Sequence, residues 1–255
     1  MLQISVKGDM TMKLKDKIAI VTGGAAGIGF ATAKIFLQQG ATVAICDINT
    51  ERTDKAVAEL SALGTIRGFS VDISKKAQIQ VMVDSVLGEF GRIDILINNA
   101  GITQDAQFYK MTEEQFDGVV NVNLKGTYLF SKAVIPAMMD QKYGKIIHLS
   151  SVSAFNGNFG QTNYAASKAA IMGMTRVMGK ELGKYGINVN AIAPGSIMTD
   201  MYSAVPEEAK QKKLASIPLR RYGTPEEAGK LLAFLASDES SYITAQTIVI
   251  DGGFN

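Results

Sequence analysis

Seven apolar runs alternate along this chain with stretches of helical periodicity, and that alternation predicts its architecture. The first run, KIAIVT from Lys17, ends in the glycine-rich TGGAAGIG and passes into ATAKIFL, a strand, a turn and a helix in succession. ATVAICD reads as the second strand, followed by a helix from about Thr50 to Leu63, and TIRGFSVD as the third, followed by a helix from Ser74 to Phe90. RIDILINNAG is the fourth, with a long helix from about Thr112 to Asp140; GKIIHLSS is the fifth, leading through a loop to a helix that starts near Asn163. NVNAIAPG is the sixth strand. An irregular segment from Gly195 to Tyr222 separates it from a helix that begins at Thr224-Pro225, and QTIVIDGG closes the set as the seventh strand. Strands so continuously apolar are buried on both faces, which implies an α/β fold with a parallel sheet covered by helices on each side.

In such a sheet the ligand site lies outside the carboxyl ends of the strands. The chemically suggestive groups fall at those ends: Thr22 and the glycines after the first strand, Asp47 after the second, Asp72 after the third, Asn98 to Gly101 after the fourth, Ser151 after the fifth, and Pro194-Gly195 after the sixth.

Composition narrows the field without pointing to a chemistry. A chain of 255 residues with 47% apolar content can bury one substantial core, and residues 13–255 read as one domain. Residues 1–12, with methionines again at positions 10 and 12, read as a disordered extension or an upstream start. The 26 basic and 24 acidic residues nearly cancel to +2 with no strongly basic cluster, so nucleic acid is not an expected partner. Cys46 is the only cysteine, which excludes an intramolecular disulfide and a cysteine-rich metal site; no metal is expected. The only histidine, His148, stands in the strand KIIHLS and reads as a strand residue rather than a hydrolase base. No apolar run approaches the roughly 18 residues that would span a bilayer, and no signal peptide opens the chain, so a cytoplasmic protein without membrane contact is expected.

The motifs supply the chemistry. Gly23, Gly27 and Gly29 at a strand-to-helix turn let backbone amides approach a pyrophosphate at the positive end of the helix, although a tight turn needs glycine too. Asp47 can accept both hydroxyls of an adenosine ribose and repel a 2′-phosphate, or cap the next helix; with Ala25-Ala26 in the turn and Ile48-Asn49 behind it, NAD is preferred over NADP. Asp72 with Ile73 can hold and pack an adenine, or Asp72 can cap the next helix. Asn123 stands mid-helix, where its amide can hold a backbone kink or a water. Ser151, Tyr164 and Lys168 carry the reaction. Tyr164 and Lys168 are four apart and share a helix face, and an ammonium there favours the phenolate; a shift from about 10 to about 7 needs roughly 4 kcal/mol, which the ammonium and a positively charged cofactor could together supply. Ser151, with no histidine to activate it, suits orienting a carbonyl or alcohol oxygen rather than attacking one. Small residues Ala165, Ala166, Ala169, Ala170 and Gly173 on the same helix allow another helix to approach, and the 195–222 segment has the length of a lid.

Together TGxxxGxG at Thr22 to Gly29, NNAG at Asn98 to Gly101, Ser151 with YxxxK at Tyr164 to Lys168, and PG at Pro194 resemble the short-chain dehydrogenase/reductase family over essentially Lys13 to Asn255. The resemblance implies a single-domain Rossmann-type doubly wound parallel sheet of order 3-2-1-4-5-6-7, and a catalytic tetrad of Asn123, Ser151, Tyr164 and Lys168. In it Tyr164 is the acid/base, Ser151 the substrate anchor, Lys168 the partner of the nicotinamide ribose and Asn123 the holder of a relay water. The dinucleotide would lie along Thr22, Gly23, Gly27, Ile28, Gly29, Asp47, Ile48, Asp72, Ile73, Asn99, Ala100, Gly101, Tyr164, Lys168, Pro194, Gly195, Ile197 and Thr199, the last at the carboxamide. A homotetramer is implied as well.

Within the family the chain is similar to 3-oxoacyl-acyl-carrier-protein reductases, including PGSIMTDM and YITAQTIVIDGG. Those reductases usually carry an arginine where this chain has Ala26, do not usually end the second strand in Asp, and dock their carrier through two basic positions that correspond here to Lys142 and Tyr185. The reading that follows is an NAD-linked enzyme interconverting a secondary alcohol and a ketone. An acyl-carrier reductase and a non-catalytic dinucleotide-binding redox sensor are its alternatives; the loops 153–160 and 195–222 choose the substrate.

Overall fold

All seven apolar runs form strands: β1 (Ile18–Thr22), β2 (Thr42–Asp47), β3 (Ile66–Ser70), β4 (Ile95–Asn98), β5 (Gly144–Leu149), β6 (Ile187–Pro194) and β7 (Thr247–Ile250). The computed structural model describes residues 12–199 and 207–255. The strands make one sheet in the order β3-β2-β1-β4-β5-β6-β7, every pair parallel. The order reverses between β1 and β4, whose departing chains go to opposite faces and open a crevice at the carboxyl edge. Register brings the candidate groups level there: Thr22 pairs with Cys46, Asp47 with Ser70, Asn98 with His148, and Pro194 with Ile250.

Side chains alternate between two cores. Val21, Ile45, Ile97, Ile147 and Ile192 meet α1 (Gly27–Gln38), α2 (Thr50–Leu60) and the late helix Pro225–Ala236. Ile20, Ala44, Leu96, Ile146 and Val189 meet α3 (Lys76–Phe90) and the helices that follow β4 and β5. Gly229 lies where a Cβ would stand 2.8 Å from Ile35 Cδ1, which is how closely α1 and the late helix approach. Met12 is exposed, whereas Leu14 is fully buried and its N–H donates to Gln39 O, so the described chain joins the core at Leu14. Residues 1–11 of the expected extension lie outside the described residues.

Three expectations about local structure are corrected. The long helix after β4 is α4 (Glu113–Val120), a π-helical segment over Asn121–Gly126, and α5 (Thr127–Gln141). A Cβ at Gly126 would fall 2.8 Å from Ile73 Cδ1, so the wide turn seats the chain against the end of β3. The loop after β5 contains a short helix, α6 (Ser153–Asn156), before α7 (Thr162–Leu182). The irregular segment contains α8 (Glu207–Ser216); its residues 200–206 lie outside the described ones. The late helix, α9 (Pro225–Ala236), begins where expected because Thr224 and Glu227 form a reciprocal capping box with Pro225 at the first position. Thr112 and Gln115 form a second capping box at α4, and Asn49 caps α2 through its side-chain oxygen, which accepts the Arg52 N–H.

Candidate active site

The glycine turn between β1 and α1 fits a dinucleotide pyrophosphate. Gly23 and Gly27 have φ of +62° and +53°, and a Cβ at Gly29 would stand 2.1 Å from Gly23 O. The N-cap of α1, Ala26, supplies no side-chain acceptor, and no acidic residue lies in its first turn. The first N–H groups, Ile28 among them, are thus left for an external anion. Thr199 closes over this turn: its Cγ2 would be 3.3 Å from a Cβ at Gly27, and a cavity of about 300 Å³ lined by Gly27, Phe30, Met198, Thr199 and Glu226 opens beside it.

Thr22 and Asn99 spend their side chains on each other's backbone. Thr22 Oγ1 accepts the N–H groups of Asn99 and Ala100 at 3.0 Å each, and Asn99 Nδ2 donates to the carbonyls of Thr22 and Gly23 at 2.9 and 3.0 Å. They hold the ends of β1 and β4 in register under the crevice. The neighbouring Asn98 points into the core, where its Nδ2 lies 3.1 Å from both Ser131 Oγ and His148 Nδ1. His148 accepts there, so it is neutral with its proton on Nε2, an atom with no hydrogen-bond partner among the described residues. Burial, helped by the nearby Lys168 charge, pushes its pKa down to about 3.

Asp47 ends β2 half-buried; its Oδ1 accepts the Asn49 N–H at 3.1 Å, and Ile48 beside it is 71% exposed. Asp72 Oδ1 accepts the Ser74 N–H at 2.9 Å and turns the chain toward α3. Ile73 sends its side chain into the core against Gly126 instead of outward to pack an adenine ring, so it offers a ligand its main chain. Pro194 O accepts Val152 N–H, Gly195 N–H donates to Ile250 O, and buried Ile197 pairs with Gly223, which fixes the loop that delivers Thr199.

Gly101 is the junction of the site. A Cβ there would come 3.1 Å from Asn123 Oδ1 and 3.5 Å from Lys168 Nζ, which places the π turn, the end of β4 and α7 around one point. Asn123 is a strut: Oδ1 accepts Ile102 N–H at 2.8 Å, and Nδ2 donates to Ile102 O at 3.0 Å and to Ser167 Oγ at 3.3 Å. Its amide is therefore committed to protein groups. Lys168 donates to Leu149 O at 2.6 Å, with Nζ 5.6 Å from the centre of the Tyr164 ring. Ser150 Oγ donates to Lys168 O at 2.9 Å and ties α7 to β5.

The expected acidification of Tyr164 by Lys168 is not a property of the protein alone. Burial is the largest influence and raises the phenol above its ordinary value; a hydrogen bond with Ser151 opposes it, and the charge of Asp105 adds to it. Burial also lowers Lys168, to about 8, so at neutral pH it is still an ammonium. Desolvation is the largest influence on both groups.

Ser153, Asn158, Gln161 and Asp105 also belong to the site and were missed from the sequence. Ser153 Oγ lies 3.2 Å from Ser151 Oγ, and Asn158 Nδ2 donates to Ser153 Oγ at 2.7 Å. Ser153 and Asn158 lie on the loop 153–160 that was expected to choose the substrate, whereas nothing in the sequence singled out Gln161 or Asp105. Among the described residues no group of three His, Cys, Asp or Glu could hold a metal ion, and no helix is long and apolar enough to cross a membrane.

Known proteins resemble this chain in sequence and fold. A family model described as enoyl-(acyl carrier protein) reductase matches residues 23–255. A 3-oxoacyl-acyl-carrier-protein reductase of Thermotoga maritima is 49% identical over 243 residues, 95% of this chain and 99% of that protein. A hydroxy(phenyl)methylsuccinyl-CoA dehydrogenase subunit of Thauera aromatica is 42% identical, with 95% and 98% covered. The crystal structure of levodione reductase matches with a TM-score of 0.90 at 35% identity, covering 94% of this chain and 98% of that one. The chain belongs to the short-chain dehydrogenase/reductase family, whose members use nicotinamide dinucleotides. It is an oxidoreductase of CH–OH and ketone groups.

Proposed function

We propose that the protein interconverts a secondary alcohol and a ketone with NAD(H), Tyr164 acting as the acid/base. Asp47 carries the cofactor reading. It stands at the carboxyl end of β2, next to Cys46, whose carbonyl accepts the Gly24 N–H of the glycine turn, and its Oδ2 has no partner among the described residues. A carboxylate so placed can accept two ribose hydroxyls and repels a phosphate in place of one of them. When bound, the nicotinamide ring accepts or returns a hydride at the substrate carbon. The chain's own groups do the rest: Ser151 hydrogen-bonds the substrate oxygen, Tyr164 takes or gives its proton, and Lys168, protonated at neutral pH, favours the phenolate. NAD should be used at least about tenfold better than NADP, equal to about 1.4 kcal/mol. Equal efficiencies would remove the charge argument.

The role of Tyr164 is checked with Tyr164→Phe. The variant should lose at least about a hundredfold in kcat, within the usual span for a general acid/base, while nucleotide affinity measured by fluorescence stays within about twofold. An unchanged kcat would take Tyr164 out of the mechanism. Tight nucleotide binding by folded wild-type protein that turns over no ketone or secondary alcohol would favour the redox sensor instead.

A second reading, 3-oxoacyl-acyl-carrier-protein reductase, is supported by the Thermotoga maritima relative. Lys142 and Tyr185, the positions matching the carrier-docking pair, are neighbours, since a Cβ at Gly186 would lie 2.4 Å from Lys142 O. They precede β5 and β6, so within one chain they are a strand length, about 20 Å, from Ser151. One of the pair is uncharged. Comparing acetoacetyl-coenzyme A with polyols and cyclic ketones, each with both nucleotides, separates the two readings.

A cytoplasmic homotetramer is part of the same proposal. Its support is the exposed, small-residue face of α7, with Ala166, Ala169, Ala170 and Gly173 open to the surface. Light scattering would give the oligomeric state.

A further inference from the structure

Ser151 does not stand alone. Its Oγ lies 3.2 Å from Ser153 Oγ and accepts the Ser153 backbone N–H at 3.2 Å. Ser153 Oγ accepts Asn158 Nδ2 at 2.7 Å; the same nitrogen donates to Gln161 Oε1 at 3.0 Å, and Gln161 Nε2 donates to Asp105 Oδ2 at 3.0 Å. Five side chains thus form one line. It runs from the end of β5, across the loop that carries α6, to the loop after β4, where Ala106 N–H also donates to Gly160 O. The inner end, Ser151 and Ser153, is buried; Asn158 and Asp105 are exposed.

The donors and acceptors along the line give it a direction. Asn158 contributes an N–H that can only donate, held by an amide whose other contact is Gln161. A serine hydroxyl has one hydrogen and two lone pairs. With no substrate present, the Ser151 hydrogen can rest on Ser153 Oγ. When a carbonyl oxygen arrives and takes that hydrogen, Ser153 can turn its own hydrogen onto Ser151 Oγ, and no heavy atom moves. Every hydroxyl then donates toward the substrate, and each bond polarises the next.

We propose that Ser153 is a positioning residue for carbonyl reduction: with Asn158 it aims and polarises the Ser151 hydroxyl at the substrate oxygen, and it makes that alignment depend on the loop contacts of Asn158, Gln161 and Asp105. The proposal rests on Ser151 being the substrate anchor. It adds that the anchor is only as good as the loop that orders it.

The test uses purified full-length protein with acetoacetyl-coenzyme A and cyclohexanone as probes and the faster nucleotide as reductant. Ser153→Ala keeps the backbone N–H that holds Ser151 and removes only the hydroxyl. Its kcat should fall about tenfold while nucleotide affinity and melting temperature hold, and Ser153→Thr should recover most of the loss. Asn158→Ala should lower kcat severalfold in the wild-type background and change nothing further in Ser153→Ala, because the two act through one line. Because Asn158 is exposed, its variant also reports on the line if Ser153→Ala folds poorly; an unchanged kcat in Asn158→Ala then overturns the proposal. So does an unchanged kcat in Ser153→Ala, a Thr variant as slow as Ala, or additive losses. Wild-type protein inactive on both probes and, in the oxidative direction, on polyols overturns the parent reading, and this proposal falls with it.

Discussion

Lys168 is a buried ammonium whose side chain donates to Leu149 O, and its pKa of about 8 records what burial costs it. The unfolded chain holds that proton up to about 10.5, the native protein only to about 8, so between those values unfolding takes up a proton. Raising the pH through that window removes this drive toward unfolding, and stability from this group rises. From pH 7.5 to 9.5 the nucleotide-free protein should gain about 2 kcal/mol relative to Lys168→Met, read from urea midpoints of both. Parallel pH profiles would show that Lys168 is better solvated than its position implies. Tyr164 follows the same logic with the opposite charge: buried beside Asp105, it resists ionisation until something in the site favours the phenolate. Spacing alone places Lys168 on the right helix face, but whether attraction or burial wins depends on solvent exclusion, which a sequence does not carry.

The strands were legible because a parallel sheet buried on both faces leaves continuous apolar runs, and their ends were legible because the glycine, Asp and Asn residues interrupt those runs. The start of α9 at Thr224-Pro225 was legible for a similar reason, its cap being a local bond three residues ahead, whereas α2 is capped by Asn49 and not by Asp47. The π turn at Asn121–Gly126 was not, since it depends on Gly126 meeting Ile73 and on Asn123 reaching Ile102, contacts made only in the folded chain. The line behind Ser151 was hidden likewise, its members being distributed over two loops. At this scale the glycine turn is the sharpest test. Gly29 sits where a Cβ would overlap Gly23 O at 2.1 Å and Asn99 Nδ2 at 2.6 Å. Gly29→Ala must therefore push α1 away from the end of β1, costing about 1–3 kcal/mol by overpacking and lowering nucleotide affinity at least about tenfold. Gly88, a helical glycine with nothing within 4 Å of its Cβ position, is the control: Gly88→Ala should leave binding unchanged and stabilise α3 slightly. Equal binding by both variants would mean that the close approach of Gly29 and Gly23 does not shape the site.

Across the whole molecule, the sheet that carries the candidate site also buries a titratable ring. The carboxyl edge gathers Asp47, Asn99, Ser151 and Pro194, while one residue inside that edge, facing the α5 side, sits a histidine that cannot be charged at ordinary pH. Its Nδ1 lies against Asn98 Nδ2, and Lys168 is the nearby positive charge that opposes protonation after burial has done most of the work. The unfolded chain protonates His148 near pH 6.5, the native protein only near pH 3, so unfolding takes up a proton anywhere between and stability falls as the pH falls through that window. By pH 5 the loss from this group should reach about 2 kcal/mol relative to pH 7. His148→Gln keeps an amide oxygen to face Asn98 and has nothing to titrate, so its urea midpoint should decline less between pH 7 and pH 5 than that of the wild type. Carboxylates act in both proteins, and the difference between the two profiles isolates the imidazole. Superimposable profiles would mean that water or a shifted Asn98 reaches Nε2 and lets the ring charge inside the fold. The same measurement in the presence of NAD adds a check on the site: a ligand bound only to the native state raises both curves equally and leaves their difference unchanged.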